Sequence, residues 1–353
     1  MSAGAARRAL GSTLVGSLCR WMDALLNAGE RCLPGCSAPR GRAPVSPVPV
    51  AHDGYGRPMS LFGVLDRLSE VSAFDKPLET ARTAVNTVLR PQAVRDLLHG
   101  TWLGHPLHPV LAQVPVGTWL SAGVLDAIPP ARPAAALLIG TGVAAAVPTA
   151  LCGAADWSEQ DDAVRRLGAV HAVANTVALS LYVGSLVARA KGNGTLGRVL
   201  AYSGLGLAGG SAAIGGHMSY AQSSGANHAV PSARQLTTDW IDLGPLDDLA
   251  EGRPALRTGE GQGTPVALAV VRRGARVDVF IGACAHVGGP LAEGTVEEVR
   301  GAECLVCPWH GSAFDLDSGE PRRGPTAVAQ ERLEVRYEAG RVLARLPNRH
   351  APK

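Results

Sequence analysis

Hydrophobic and polar positions follow three different rhythms along this chain of 353 residues. From about Leu61 to Leu98 apolar residues return at helical spacing, as in Leu61, Val64, Leu65 and Leu68, with Asp, Glu and Arg between them. That spacing predicts amphipathic helices, soluble or lying along a membrane surface. Four apolar stretches follow at 110–128, 134–153, 169–188 and 199–216, each about 18 to 20 residues, the length of helix that crosses a bilayer's hydrocarbon core. They lack the regular charged face of a soluble amphipathic helix, which favours membrane spans over an Ala/Gly-rich soluble bundle. The short connections 129–133 and 191–198 imply antiparallel neighbours. After about Ser219 the rhythm shortens to alternating strands such as Val266 to Val271, Arg276 to Ile281, Arg332 to Tyr337 and Arg341 to Leu346, the last two flanking the hairpin turn Glu338-Ala339-Gly340. The expected fold is multidomain: an all-α four-helix transmembrane bundle followed by a small all-β domain. Residues 1–58 contain the Pro/Gly/Arg-rich tract Pro34 to Pro58, expected to be disordered; 59–228 hold the amphipathic helices and the bundle; 229–349 form the β domain.

Composition sharpens the membrane reading. The chain has 43 glycines and only 4% aromatic residues, a balance that suits close packing between helices with small residues at their contacts. The formal net charge is +3, so no nucleic-acid partner is expected. The glycines between Gly204 and Gly216 lie inside an apolar stretch with no preceding strand, so no nucleotide site is expected either. An even number of crossings puts both flanks on one side. Arg90, Arg95, Arg165, Arg166 and Arg234 fall there against Arg132, Arg189, Lys191 and Arg198 opposite, a slight excess that favours the cytoplasm. Arg7-Arg8 before Leu10 to Leu18 faintly resembles a twin-arginine export signal, but Arg20 and Asp23 break the apolar run, and an amphipathic surface segment is the preferred reading.

The seven cysteines do not form an evenly paired framework. Cys32 and Cys36 are read as loop thiols, Cys19 and Cys152 as packing residues. Within the β domain stand Cys284-Ala285-His286 and Cys307-Pro308-Trp309-His310. Two Cys/His pairs can give two thiolates to one iron and two imidazoles to another. A tetrahedral zinc site usually draws its close pairs as Cys with Cys and His with His, and the interleaving here favours an iron–sulfur cluster.

The run Cys284 to Leu291 and the run Cys307 to Phe314, with Gly319 and Gly324-Pro325 after them, resemble the Rieske ferredoxin family over about Pro265 to Leu346. The resemblance implies a [2Fe–2S] cluster with Cys284 and Cys307 on the inner iron and His286 and His310 on the outer one, and cluster loops shaped by Gly311 and Gly324-Pro325. Rieske proteins of cytochrome bc complexes usually carry a disulfide between the cluster loops; Gly289 and Trp309 stand at the corresponding places, which implies the ferredoxin and oxygenase branch and a lower potential. Cys304 lies in an apolar strand and is read as a packed residue. Only about 40 residues follow His310, too few for the second iron domain of an oxygenase, so an electron-transfer component is expected rather than a self-sufficient oxidoreductase.

The segment Trp102 to Pro109, Leu125-Asp126 and Gly215-Gly216-His217 resemble a bacterial four-helix membrane family of unknown function, over about Leu61 to Asn227. Antiparallel packing would bring His105, His108, Asp156, His171 and His217 to one membrane face. Imidazoles there can ligate a b-type haem or a metal, or bond a quinone headgroup; the plainer alternative is that each caps a helix or sits among wet headgroups. Asn175 is placed as a support for His171; His52, His99 and His228 receive no role. The expected protein is a multi-pass cell-membrane electron carrier with the Rieske domain in the cytoplasm, exchanging single electrons between a redox partner protein (reductase, oxygenase or respiratory component) and a membrane cofactor or acceptor. The alternatives are a redox sensor that uses the cluster as a switch and a bundle that is only an anchor.

Overall fold

The computed structural model describes residues 61–237 and 239–347. Three long helices dominate the first half: α5 (Arg132–Ser158), α6 (Asp162–Ala190) and α7 (Gly194–Tyr220). Before them come α1 (Leu61–Ser69), α2 (Asp75–Val88), α3 (Gln92–His99) and α4 (Leu107–Asp126). A short α8 (Ala229–Gln235) leads into the β domain, making eight α-helices among the described residues, rather than four.

Segments 129–158, 162–190 and 194–220 are long and apolar enough to cross a membrane. The 20-residue α4, expected as the first of four spans, is less apolar than these three, although its buried Trp119 and Ala122 pack with Ile139 of α5 and Tyr182 of α6. Its sequence explains the difference, because His108, Pro109, Gln113, Pro115, Gly117, Thr118 and Ser121 dilute the apolar run. The other three are also longer than their apolar windows. A 27-residue helix reaches ~40 Å at ~1.5 Å per residue, the thickness of hydrocarbon plus headgroup zones, and the extra turns carry Asp156, Arg165, Arg166 and Arg189. Large apolar side chains point outward along the helices, Leu137 at 75% and Val173 at 64% exposed, the distribution expected of lipid-facing positions. Inside, small residues admit close neighbours: a Cβ added at Gly142 would stand 2.2 Å from the indole nitrogen of Trp119, which stacks on Tyr182 with ring centroids 4.2 Å apart.

The two ends of the bundle are closed differently. At one, Asp126 is fully buried and takes Arg189 Nη1 at 2.9 Å, while Ser185 donates to the Gly197 carbonyl at 2.6 Å. At the other, α1 to α3 fold across the helix ends. Arg166 holds both oxygens of Asp75 at 2.6 and 2.7 Å and the Ser69 carbonyl at 2.7 Å, and Arg82 donates to the Ser158 carbonyl at 2.8 Å. The amphipathic helices therefore spend their polar groups on the bundle's own end. Gly100 reverses the chain after α3 at φ +79, where a Cβ would lie 2.2 Å from the His105 carbonyl oxygen.

The β domain has two antiparallel sheets. Six strands run in the order β1 (Ile241–Pro245), β10 (Arg341–Arg345), β9 (Arg332–Glu338), β4 (Arg276–Ile281), β3 (Val266–Arg273) and β2 (Pro254–Gly259). Four run in the order β5 (Thr295–Val299), β6 (Ala302–Val306), β7 (Ala313–Asp315) and β8 (Pro321–Arg323). Leu268, Val270, Val279, Phe280 and Ile281 from the larger sheet pack against Leu305, Phe314 and Leu316, and Cys284 and Cys307 extend the same core. Cys304 belongs to a satellite cluster with Val299, Val306 and Ala313, as its apolar strand predicts.

Candidate iron–sulfur site

Two loops, one after β4 and one after β6, meet at the tip of the β domain. They share one backbone design. The Cys284 carbonyl accepts from Gly288 N–H at 2.8 Å and the Cys284 N–H donates to the Gly289 carbonyl at 2.8 Å; in the second loop Gly311 N–H donates to the Cys307 carbonyl at 3.1 Å and Cys307 N–H to the Ser312 carbonyl at 2.8 Å. Each closing glycine has positive φ, +77 at Gly288 and +72 at Gly311, a conformation that side-chain-bearing residues adopt only with strain. The loops thereby lift each cysteine and histidine toward a shared centre. Gly289 lets them approach: a Cβ there would lie 2.9 Å from Cys307 Sγ and 3.1 Å from the Trp309 ring.

Cys284 and Cys307 are buried, whereas His286 and His310 are half-buried, with ring centroids 5.1 Å apart and planes at 86°. Nδ1 of both histidines is buried without a hydrogen-bond partner. Buried polar atoms are nearly always satisfied, so two such atoms beside two sulfurs are a donor set arranged for a metal group. Burial, with His310 and His99 nearby, pushes His286 down to about 3, and burial with Arg82 and Arg165 lowers His310. Both imidazoles are neutral at neutral pH, the form that ligates. The two sulfurs share a hydrogen bond that raises Cys284 and brings Cys307 down to about 6, favouring a thiolate at that position.

A third segment covers the loops. Thr326 N–H donates to Ser312 Oγ at 3.3 Å, and Arg323 holds the Gly311 carbonyl at 2.9 Å. Gln330, buried, accepts from Ala285 N–H and donates to the carbonyls of Ile281 and Ala283, each at 2.8 Å. Sequence reading missed Gln330, since a lone Gln in a polar stretch carries no motif.

The domain family described as Rieske [2Fe-2S] domain matches residues 239–336. The anthranilate 1,2-dioxygenase ferredoxin subunit of Burkholderia cepacia is 32% identical over 104 residues, 30% of this chain and 89% of that protein. The chain belongs to the Rieske family. Ferredoxin CarAc of Metapseudomonas resinovorans is similar to the Rieske domain at 33% identity, over 29% of this chain and 90% of its own length. Among solved structures, the ferredoxin of carbazole 1,9a-dioxygenase from Nocardioides aromaticivorans IC177 aligns at 23% identity with a TM-score of 0.28, over 31% of this chain and 98% of its own. A second family, described as predicted membrane protein (DUF2231), matches residues 104–233. The donor set fits the cluster that a Rieske domain carries, and Cys284 and Cys307 are both free of disulfides.

Of the helical residues singled out from sequence, two come together and the others turn to separate partners. His108 and His171 approach each other, centroids 6.4 Å apart at 83°. His171 Nδ1 faces the Ser211 carbonyl at 2.8 Å and its Nε2 takes Asn175 Nδ2 at 2.9 Å, so Asn175 supports that ring as expected. His108 Nδ1 faces the Thr149 carbonyl at 2.9 Å. His105 is placed against the Pro106 carbonyl at 3.0 Å, and His217 Nε2 lies 2.9 Å from Asp66 of α1. Asp156 bonds His99 at 2.8 Å. His99, given no role from the sequence, is thus buried at the last turn of α3 and paired with Asp156.

Proposed function

We propose that this chain is a membrane-anchored Rieske-type carrier that passes single electrons between a redox partner protein and an acceptor in or at the bilayer. The observation that carries the reading is the pairing of two buried sulfurs with two partnerless imidazole nitrogens, Nδ1 of His286 and of His310, on a chain whose helical half has three apolar segments of membrane-crossing length. Cys284, Cys307, His286 and His310 would hold a [2Fe–2S] group, and that group, when bound, supplies one-electron exchange. The protein's own part is to fix the donors with glycine-closed loops, to keep the imidazoles neutral, and to exclude water from the sulfurs. One similar ferredoxin, the anthranilate 1,2-dioxygenase ferredoxin subunit, is named for a dioxygenase, which supports an oxygenase or its reductase as partner. The weak Lys/Arg bias supports a cytoplasmic Rieske domain.

The hydrogen bonding in the helical half bears on a second cofactor. Both ring nitrogens of His171 are engaged, Nδ1 with a carbonyl and Nε2 with an amide, and His108 directs Nδ1 to a carbonyl as well. A b-type haem needs a free nitrogen lone pair from each axial imidazole; His108, with its Nδ1–H on a carbonyl, keeps one at Nε2, but His171 does not, which favours helix packing over a bis-imidazole haem at this pair. The test of the carrier reading is a reductive titration of the full chain in detergent. One electron per chain, reversible on adding an oxidised one-electron acceptor, is expected; uptake of no electron, or of electrons that cannot be recovered, would overturn it.

A further inference from the structure

Helix α3 turns its polar residues inward and its apolar residues outward. Its eight residues bury Asp96 and His99 and leave Val94 and Leu97 exposed, Leu97 at 55%. In a soluble amphipathic helix the apolar stripe faces the core and the charges face water. Here the polar side chains are the ones with protein partners. Asp96 accepts from Gly324 N–H at 2.7 Å and from Arg300, while His99 Nδ1 lies 2.8 Å from Asp156 Oδ1 of α5 and Arg95 pairs with Glu159 just past that helix. The helix is therefore the seam of the molecule, touching the Rieske domain through Asp96 and the bundle end through His99 and Arg95.

Its outer stripe continues past the helix. After the turn at Gly100, Trp102 is 65% exposed and donates its indole N–H back to the Leu97 carbonyl at 3.3 Å, and Leu103, also exposed, follows it. Val94 and Leu97 stand one turn apart on α3, so these four side chains make one apolar strip. Grouped exposed apolar side chains mark an interaction surface, and the level of this strip in the molecule selects the partner. Its helix is bonded to Asp156 and Glu159, in the last turn of α5 and at its C-cap, where a 27-residue span has left the hydrocarbon core and reached the headgroup zone. From the strip the chain enters α4, on which Val110 and Val114 are exposed in turn, so the strip is continuous with the outward-facing apolar surface of the bundle. Tryptophan, an apolar ring with one polar N–H, suits that zone.

We propose that α3 and the Trp102-Leu103 turn form an interfacial seat, with Val94, Leu97, Trp102 and Leu103 inserted at the boundary between lipid headgroups and acyl chains. The polar face of the same helix carries the Rieske domain, so the seat holds that domain at the membrane surface. This rests on the membrane-anchored reading.

The experiment uses the full chain in phosphatidylcholine vesicles whose acyl chains carry bromine, a contact quencher of tryptophan, either near the headgroups or at the chain ends. The emission lost on Trp102→Phe isolates that ring from the other tryptophans. It should fall about twofold with bromines at the depth of an interfacial helix, ~5–10 Å below the headgroups, less with bromines at the chain ends, and little with iodide in the water. Should Trp102→Phe fail to fold, the emission added by Leu97→Trp reports the same strip, with the same order of quenching expected. Quenching by iodide in place of lipid would overturn the seat, leaving the strip in water; protection from both quenchers would overturn it in favour of a second copy or another protein. Val173→Trp on α6, at a position 64% exposed, is the control. If bromines at neither depth quench the emission it adds, membrane anchoring itself fails, so the two failures are distinguishable.

Discussion

Asp96 is the residue through which the helical half grips the Rieske domain, and its replacement by alanine should loosen that grip by a calculable amount. Its side chain is 6% exposed and accepts from Gly324 N–H at 2.7 Å, from Gln92 at 2.9 Å and from Arg300. A hydrogen bond to a charged acceptor contributes about 1.5–3 kcal/mol, and a buried N–H left without a partner costs about 1–3 kcal/mol. These overlap for Gly324 and are not summed. Arg300 is 53% exposed, so water replaces its lost partner and that pair adds at most ~1 kcal/mol. The docked state should lose about 2–4 kcal/mol, roughly a hundredfold in the closed-to-open equilibrium. Amide hydrogen exchange over 322–330 reads this equilibrium, because Gly324 and the segment over the cluster loops must open to exchange. Asp96→Ala should speed exchange there by roughly a hundredfold while leaving the β3–β4 hairpin protected, and Asp96→Asn should have a smaller effect. Unchanged exchange over 322–330 would refute the reasoning, as would equal acceleration throughout the β domain.

Three other outcomes follow from the geometry. Arg189→Ala leaves the fully buried Asp126 without its cation, a loss of about 3–5 kcal/mol; thermal unfolding in detergent should fall well below wild type, and an unchanged melting curve would mean the pair is idle. Gln330→Leu strands Ala285 N–H and the Ile281 and Ala283 carbonyls, so the first cluster loop should lose about 2 kcal/mol and release iron at lower temperature, monitored by visible absorbance; full retention would argue that Gln330 is dispensable. The bidentate bond from Arg166 holds Asp75 below its usual carboxylate range of 3.8. A depressed folded-state value adds stability that is present above the unfolded value and is lost as pH falls through the folded one. Proteolytic exposure of α2 should therefore rise below about pH 4, and Arg166→Gln should show that exposure already at neutral pH; matching profiles for the two proteins would contradict the assignment.

How much of this was legible in the sequence depends on the range of the signal. The candidate quartet is local, two Cys/His pairs in loops closed by glycines, and residue types at short spacing carry it. The strands and the three long helices follow from period and length. Their true ends do not, because the turns beyond the apolar windows are fixed by partners far along the chain, such as Arg166 with Asp75 and Arg82 with the Ser158 carbonyl. The same range limit hid the seam. Asp96 and His99 stand in an amphipathic helix where charged residues usually face water, and only the fold brings Gly324 to the first and Asp156 to the second. Conversely, grouping His105, His108, Asp156, His171 and His217 by membrane depth ignored azimuth around each helix. His108 and His171 do approach each other, while His217 turns to Asp66.

The measurement that bears most directly on the central claim is metal and acid-labile sulfide content, with EPR after reduction, on the anaerobically purified full chain. About two irons and two sulfides per chain are expected, with a rhombic signal whose average g lies below the free-electron value and which disappears in His286→Ala and His310→Ala. Zinc in place of iron, or iron without labile sulfide, would contradict the account.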